Sequence, residues 1–153
     1  MAKTKKWEIS QLQKNKTLAL AAKLILRERL TNLFLTIEKY FTDMNAENLH
    51  DIRISLRRVR YNMELFLSFF NKKQFMHNYK TIQSLQDLSG AVRDLDVLKE
   101  NINLLVKEGK VKVNKSLLIK AENRRNELED KLKLALMKFL HSKSVKSFYK
   151  SVQ

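Results

Sequence analysis

The sequence predicts an all-α protein, an antiparallel four-helix bundle followed by a short C-terminal helix, and three observations predict it. Proline is absent and glycine occurs only at Gly90 and Gly109, whereas a sheet protein needs turn residues every ten or so positions. Apolar residues recur at three- and four-residue intervals through most of the chain, which is the period of an amphipathic helix. The polar breaks between these stretches are short, so consecutive helices become antiparallel neighbours. At 153 residues the chain has single-domain size and enough length to bury a core.

Residues 1–16 are polar and lysine-rich and read as a basic N-terminal arm, leaving 17–153 as the helical domain. Leu18, Ala21, Leu24 and Ile25, then Leu30, Leu33, Phe34, Ile37 and Phe41, mark a first helix over about 17–42. Asp43 or Asn45 is placed to cap a second helix, expected from about 46 to the aromatic pair Phe69-Phe70. A third helix follows the polar break at Asn71-Lys72-Lys73 and runs to about Lys107 and Glu108, with Gly109 as its stop. Inside it, Ser89-Gly90-Ala91 is a run of small residues that costs helix propensity, so close approach of another backbone or a kink is expected there. Asn114 or Ser116 caps a fourth helix ending near His141, and a short turn over Val145–Val152 completes the chain.

Composition excludes several classes. Without cysteine there is no disulfide framework, thiolate metal site or thiol nucleophile, which fits a reducing compartment. No apolar run approaches the ~18–20 residues of a membrane span, and the basic start lacks the apolar segment of a signal peptide. A cytoplasmic, membrane-free protein is expected. Thirty-one Lys/Arg against sixteen Asp/Glu leave a net charge of +15. Such an excess costs self-repulsion and suits a negatively charged partner, without choosing among nucleic acid, anionic lipid and polyphosphate.

The second helix carries the informative chemistry. Stepping ~100° per residue from His50 puts Arg53, Arg57 and Arg60 within about 80° of it, with Tyr61 alongside and Arg58 on the flank. Ile52, Leu56, Val59, Met63, Phe66 and Phe70 fall on the opposite side. His50 to Arg60 spans ~15 Å along the axis. Guanidinium forks bind phosphate oxygens in bidentate fashion and stay charged, so a line of them suits a linear polyanion. Carboxylates able to neutralise the row are scarce, Glu64 being the main same-face candidate, for Arg60.

Two motifs make this specific. His50-x-x-Arg53-x-x-x-Arg57-Arg58-x-Arg60 resembles the signature of the CHAD family, the conserved-histidine α-helical domains. The run from Ser89 to Leu98, with Gly90, Arg93, Asp94, Asp96 and Val97, is similar to that family's second signature, Leu-Gly-x-x-Arg-Asp-x-Asp-Val, although Leu88-Ser89 departs from its usual start. Ala21-Ala22-Lys23 and Leu26–Leu30 resemble the family's opening helix, and Leu140–Ser142 through Phe148-Tyr149 the close of its first half. The resemblance implies a non-catalytic module that binds inorganic polyphosphate, in proteins that often accompany triphosphate-processing enzymes. It assigns binding roles to His50, Arg53, Arg57, Arg58, Arg60 and Arg93, with Asp94 and Asp96 orienting basic side chains. Periodicity and resemblance together place Lys23 and Arg27 of the first helix, with Arg93, beside the row. Family members usually carry two related bundles about a pseudo-twofold axis and this chain covers one, so a homodimer that completes the pair is expected. Association with polyphosphate granules is the corresponding cellular setting.

Other classes fit less well. His50-Asp51-Ile52-Arg53 looks like the start of a phospho-accepting histidine box, but Ile54-Ser55 follows where Asn or Thr and then Pro belong, and no nucleotide-binding glycine loop exists. His50, His77 and His141 are too far apart in sequence for a helical ligand motif, and Asp94 and Asp96 lie ~200° apart on one helix, so no metal or cofactor is expected. Nucleic acid bound without sequence preference is the main alternative, because the electrostatics are the same and base readout would need more than Tyr61. His77 and His141 are expected at the surface, and Phe66, Phe69, Phe70, Phe75 and Tyr79 in the core.

Overall fold

The computed structural model describes residues 17–153, and the expected basic arm over residues 1–16 lies outside them. Five helices make up the fold: α1 (Leu18–Thr42), α2 (Ala46–Phe66), α3 (Lys72–Lys107), α4 (Lys115–His141) and α5 (Lys143–Ser151). Each begins at a side-chain cap that satisfies an amide its first turn leaves open. Thr17, Asn45, Asn71, Asn114 and Ser142 accept from the backbone N–H two or three residues on. Asn45 is therefore the α2 cap, and Asp43 supports it by accepting from the Asn45 side-chain amide at 2.8 Å. The α3 stop is a Schellman turn: Gly109 takes φ +71°, its N–H reaches the Val106 carbonyl, and the Lys110 N–H reaches that of Leu105.

Two sequence expectations need correction. Helix α2 ends at Phe66 rather than running to Phe70, because the chain turns through a 3-10 segment at Leu67–Phe69 and Phe70 is extended. That turn stacks the Phe70 ring on Phe75 at 5.1 Å and sets it edge-on to Phe148, a contact a continued helix would carry away. Phe69 is left 39% exposed, so it is not a core residue as expected. The second correction concerns Gly90. Helix α3 passes through it unbroken, and a Cβ built there would meet nothing within 4 Å. The tightly enclosed small residue is its neighbour Ser89, fully buried, with its hydroxyl donating to the Gln86 carbonyl at 2.8 Å.

The core follows from the apolar stripes. Leu26, Leu30, Leu33 and Ile37 of α1 meet Ile52, Leu56, Val59 and Met63 of α2, and α3 adds Phe75, Ile82, Leu85 and Val92. Leu132, Leu136 and Phe139 of α4 close the side, while Val145, Phe148 and Val152 cover the end where α2 turns into α3. Helix α2 lies between α1 and α3, and α4 lies against α3. Helix α3 is ~54 Å long against ~32 Å for α2 at 1.5 Å per residue. It buries nothing beyond Val92, and α4 buries nothing before Leu132. The end of α3 and the start of α4 thus form a helical arm projecting past the α1–α2 turn. No helix among the described residues is long and apolar enough to cross a membrane.

These two glycines should respond in opposite directions. Gly90→Ala is expected to stabilise the fold by about 0.5–1 kcal/mol, since the space is open and alanine favours the helix. Gly109→Ala is expected to destabilise it by about 1 kcal/mol, since its φ is left-handed. Urea denaturation of the two variants beside the parent checks both signs.

Candidate polyanion-binding face

Burying Ile52, Leu56, Val59 and Met63 between α1 and α3 forces the other side of α2 into water. His50, Arg57, Arg58 and Tyr61 are exposed there, and Arg53 is half-buried on the α3 flank. None of His50, Arg53, Arg57 and Arg58 is within ion-pair distance of a carboxylate among the described residues, although ion pairs are plentiful elsewhere. Most of those pairs lie on α3 and α4, such as Lys99–Glu122, Arg124–Glu127 and Lys131–Glu127. The cations on the outer side of α2, Arg60 apart, are therefore a contiguous row that no carboxylate of the described residues neutralises.

Arg60 differs from its neighbours. Its Nε donates to Glu64 Oε1 at 3.0 Å and to Tyr79 Oη at 3.3 Å, and its Nη1 donates to Gln86 Oε1 at 3.4 Å. Tyr79 Oη in turn donates to the same Glu64 oxygen at 2.6 Å. These bonds raise the Arg60 pKa, the Tyr79 bond foremost, and hold Glu64 below the ordinary carboxylate range, again chiefly through Tyr79. Arg60 is a fixed strut between α2 and α3. The bonds also set the register: α2 and α3 are antiparallel, so Arg53, seven residues before Arg60, comes level with the α3 segment that holds Gly90 and Arg93. Arg93 is half-buried on that flank, where Gly90 leaves the groove open, and its Nη1 pairs with Glu100 Oε1 at 3.3 Å. Tyr79, partly buried against the core as expected, thus also serves as a polar junction between the helices.

Lys23 and Arg27 do not flank this row as expected. They share a stripe of α1 with Thr31, whose hydroxyl donates to the Arg27 carbonyl and lies 2.9 Å from Tyr149 Oη of α5. Phe34, on the same flank, meets Phe139 and Tyr149. That side of α1 faces α4 and α5, so both cations are exposed away from α2. The α1 flank that does meet the cationic side carries Arg29, Asn32, Thr36 and Lys39, which with Asp51, Ser55 and Arg58 line a cleft of about 280 Å³. Arg29 escaped the sequence reading because a single-helix projection shows which residues share a flank, not which neighbour the flank meets. Its position at the border of the Leu26–Leu30–Leu33 stripe was the available signal.

Asp96 orients a cation, as the resemblance implies, but a different one from those in the row. It accepts from Arg125 Nε of α4 at 2.8 Å, and Arg125 also pairs with Glu129, to which Tyr40 Oη donates at 2.6 Å. Burial first, and then this bond, push the Tyr40 phenol well above its usual range. The cluster ties α1, α3 and α4 together where the arm departs. Asp94 is exposed, as are His77 and His141. Among the described residues no group of three His, Asp or Glu side chains could hold a metal ion.

A family model described as the CHAD domain matches residues 1–102. The chain belongs to the CHAD family. The match takes in α1, α2 and α3 as far as Ile102, and so contains both motifs and every residue of the cationic side. Comparison with curated proteins and with solved structures gives no match.

Removal of the phenol in Tyr79→Phe should return the Glu64 carboxyl toward the ordinary value near 4.5, read by side-chain NMR titration. The sign follows from linkage: a carboxyl depressed in the folded state contributes stability above its unfolded pKa, and loses it as pH falls through the folded value. Tyr79→Phe should therefore weaken the pH dependence of stability below about 4.5.

Proposed function

We propose that this CHAD protein is a non-catalytic module that binds inorganic polyphosphate on the outer side of α2. The observation that carries the reading is a row of fork-bearing cations on one helix: His50, Arg53, Arg57 and Arg58 line one side of α2 with no carboxylate partner among the described residues. Fork-shaped, permanently charged donors in a row match a repeating chain of phosphate oxygens. Arg93 and the strut Arg60 border the row on the α3 flank, and the open groove at Gly90 leaves room for the chain. Family membership supports the same ligand class. Binding in the cytoplasm, at polyphosphate granules, is the setting we infer from it.

Nucleic acid shares the phosphate chemistry, and Tyr61, 56% exposed beside Arg57, offers one ring for stacking against a base. One ring gives little discrimination, so polyphosphate is preferred. We further propose that a second copy of the chain covers the projecting arm. Leu98, Leu104, Val106, Leu117 and Ile119 are all between 46 and 60% exposed there, an apolar concentration unusual for a monomer. A two-fold pairing would bury the same patch on both chains at once.

Titration with long-chain polyphosphate at physiological salt, followed with light scattering, tests the reading. Binding should weaken with rising salt, and Arg53→Ala and Arg57→Ala should each lower affinity by about tenfold or more. Duplex DNA at equal phosphate should compete poorly, and the scattering mass should be that of two chains. Displacement of polyphosphate by duplex DNA, with Tyr61→Ala weakening the DNA complex, would transfer the site to nucleic acid. A single-chain mass in the complex would remove the proposed pairing.

A further inference from the structure

The cleft between α1 and α2 has a feature that the exposed row lacks. The Nε of Arg29 is buried and has no hydrogen-bond partner among the described residues. Buried donors are almost always paired, and a charged one left open is costly. Burial first, and then the charge of Arg58, lower the pKa of this guanidinium, with Glu28 acting in the opposite sense in third place. The Thr36 hydroxyl, also in the cleft wall, points its proton at the Asn32 and Leu33 carbonyls and does not accept from the Arg29 Nε. The one carboxylate lining the cleft, Asp51, faces Lys39, with 3.8 Å between Nζ and Oδ2. Two guanidiniums thus border a concave space of about 280 Å³, ample beside the ~30 Å³ that one water occupies in the liquid.

We propose that this cleft seats a single tetrahedral phosphoryl group, clamped between Arg29 and Arg58. The chemistry is common to the end group of a polyphosphate chain and to free orthophosphate. An anion there would accept from the orphaned Nε and offset the repulsion between the two guanidiniums. Asn32 and Ser55, both lining the cleft, add uncharged polar groups. The cleft is concave and lies on the α1 flank of α2, whereas the exposed row runs along the crest. A chain interior would therefore follow the row while a compact group enters the cleft. This assignment rests on the reading of α2 as a phosphate-binding side and adds a seat for chain ends to it.

Tripolyphosphate, long-chain polyphosphate and orthophosphate titrated against the whole chain distinguish the two levels. Arg29→Met keeps the stem length and removes the fork, while Arg58→Met does the same at an exposed position where folding is not at stake. Each is expected to lower tripolyphosphate affinity by about tenfold or more; long-chain affinity should change little in Arg29→Met, and should fall as well in Arg58→Met, which also removes a member of the row. In phosphate-free buffer Arg29→Met should melt at or above the parent temperature, since a buried like-charged group is gone. Competition by orthophosphate at comparable concentration would assign the cleft to the free ion, and its absence to chain ends, the clamp standing in both cases. Unchanged tripolyphosphate affinity in both variants, with long-chain binding intact, would overturn the cleft alone. Failure of the parent chain to bind any of the three would overturn the phosphate-binding reading beneath it.

Discussion

Burial of one side of α2 between two neighbours is the constraint on which the rest of the molecule depends. Ile52, Leu56, Val59 and Met63 can leave water only if the helix lies with that side inward, and the 3.6-residue period then fixes what faces out. His50, Arg57 and Arg58 are carried to the surface by the same rotation that builds the core. Folding and display of charge are one event in this helix. A substitution that rotated α2 would damage both.

Magnitudes explain why such a side survives without a ligand. Two unit charges 4 Å apart interact by only ~1 kcal/mol in bulk water, so an exposed row of arginines is tolerable. The opposite holds at the cleft, where burial adds to repulsion and the Arg29 Nε has no hydrogen-bond partner among the described residues. Arg60 shows a third arrangement. There Glu64, Tyr79 and Gln86 convert a cation into a joint between α2 and α3. Basic residues on α1 and α2 thus stand in three physical settings: solvated along the crest, enclosed at the cleft and bonded between helices.

The helices and most of their limits were legible in the sequence because caps and period are local. Asn45, Asn114 and Gly109 act where their types predicted. The α2 terminus was not legible, since Phe70 turns to meet Phe75 and Phe148, and Phe148 is distant in sequence. Gly90 misled for a related reason: a small residue signals close approach or open space equally, and only its neighbours decide. On the cationic side the α2 residues could be read from periodicity within one helix. The α1 contribution could not, because bundle handedness determines whether Arg29 or the Lys23–Arg27 stripe meets α2. Contacts of Thr31 and Phe34 with Tyr149 settle it in favour of Arg29.

We propose that the uncompensated side of α2, and not the general basicity of the chain, holds the ligand. Backbone amide shifts recorded while polyphosphate is added at physiological salt decide between the two. The largest shifts should fall on residues 50–61 of α2 and on the flanking Arg29 and Arg93, with Lys23, Arg27 and the lysines of α5 little changed. Largest shifts on the Lys23–Arg27 stripe and on Lys143, Lys146 and Lys150 would contradict it.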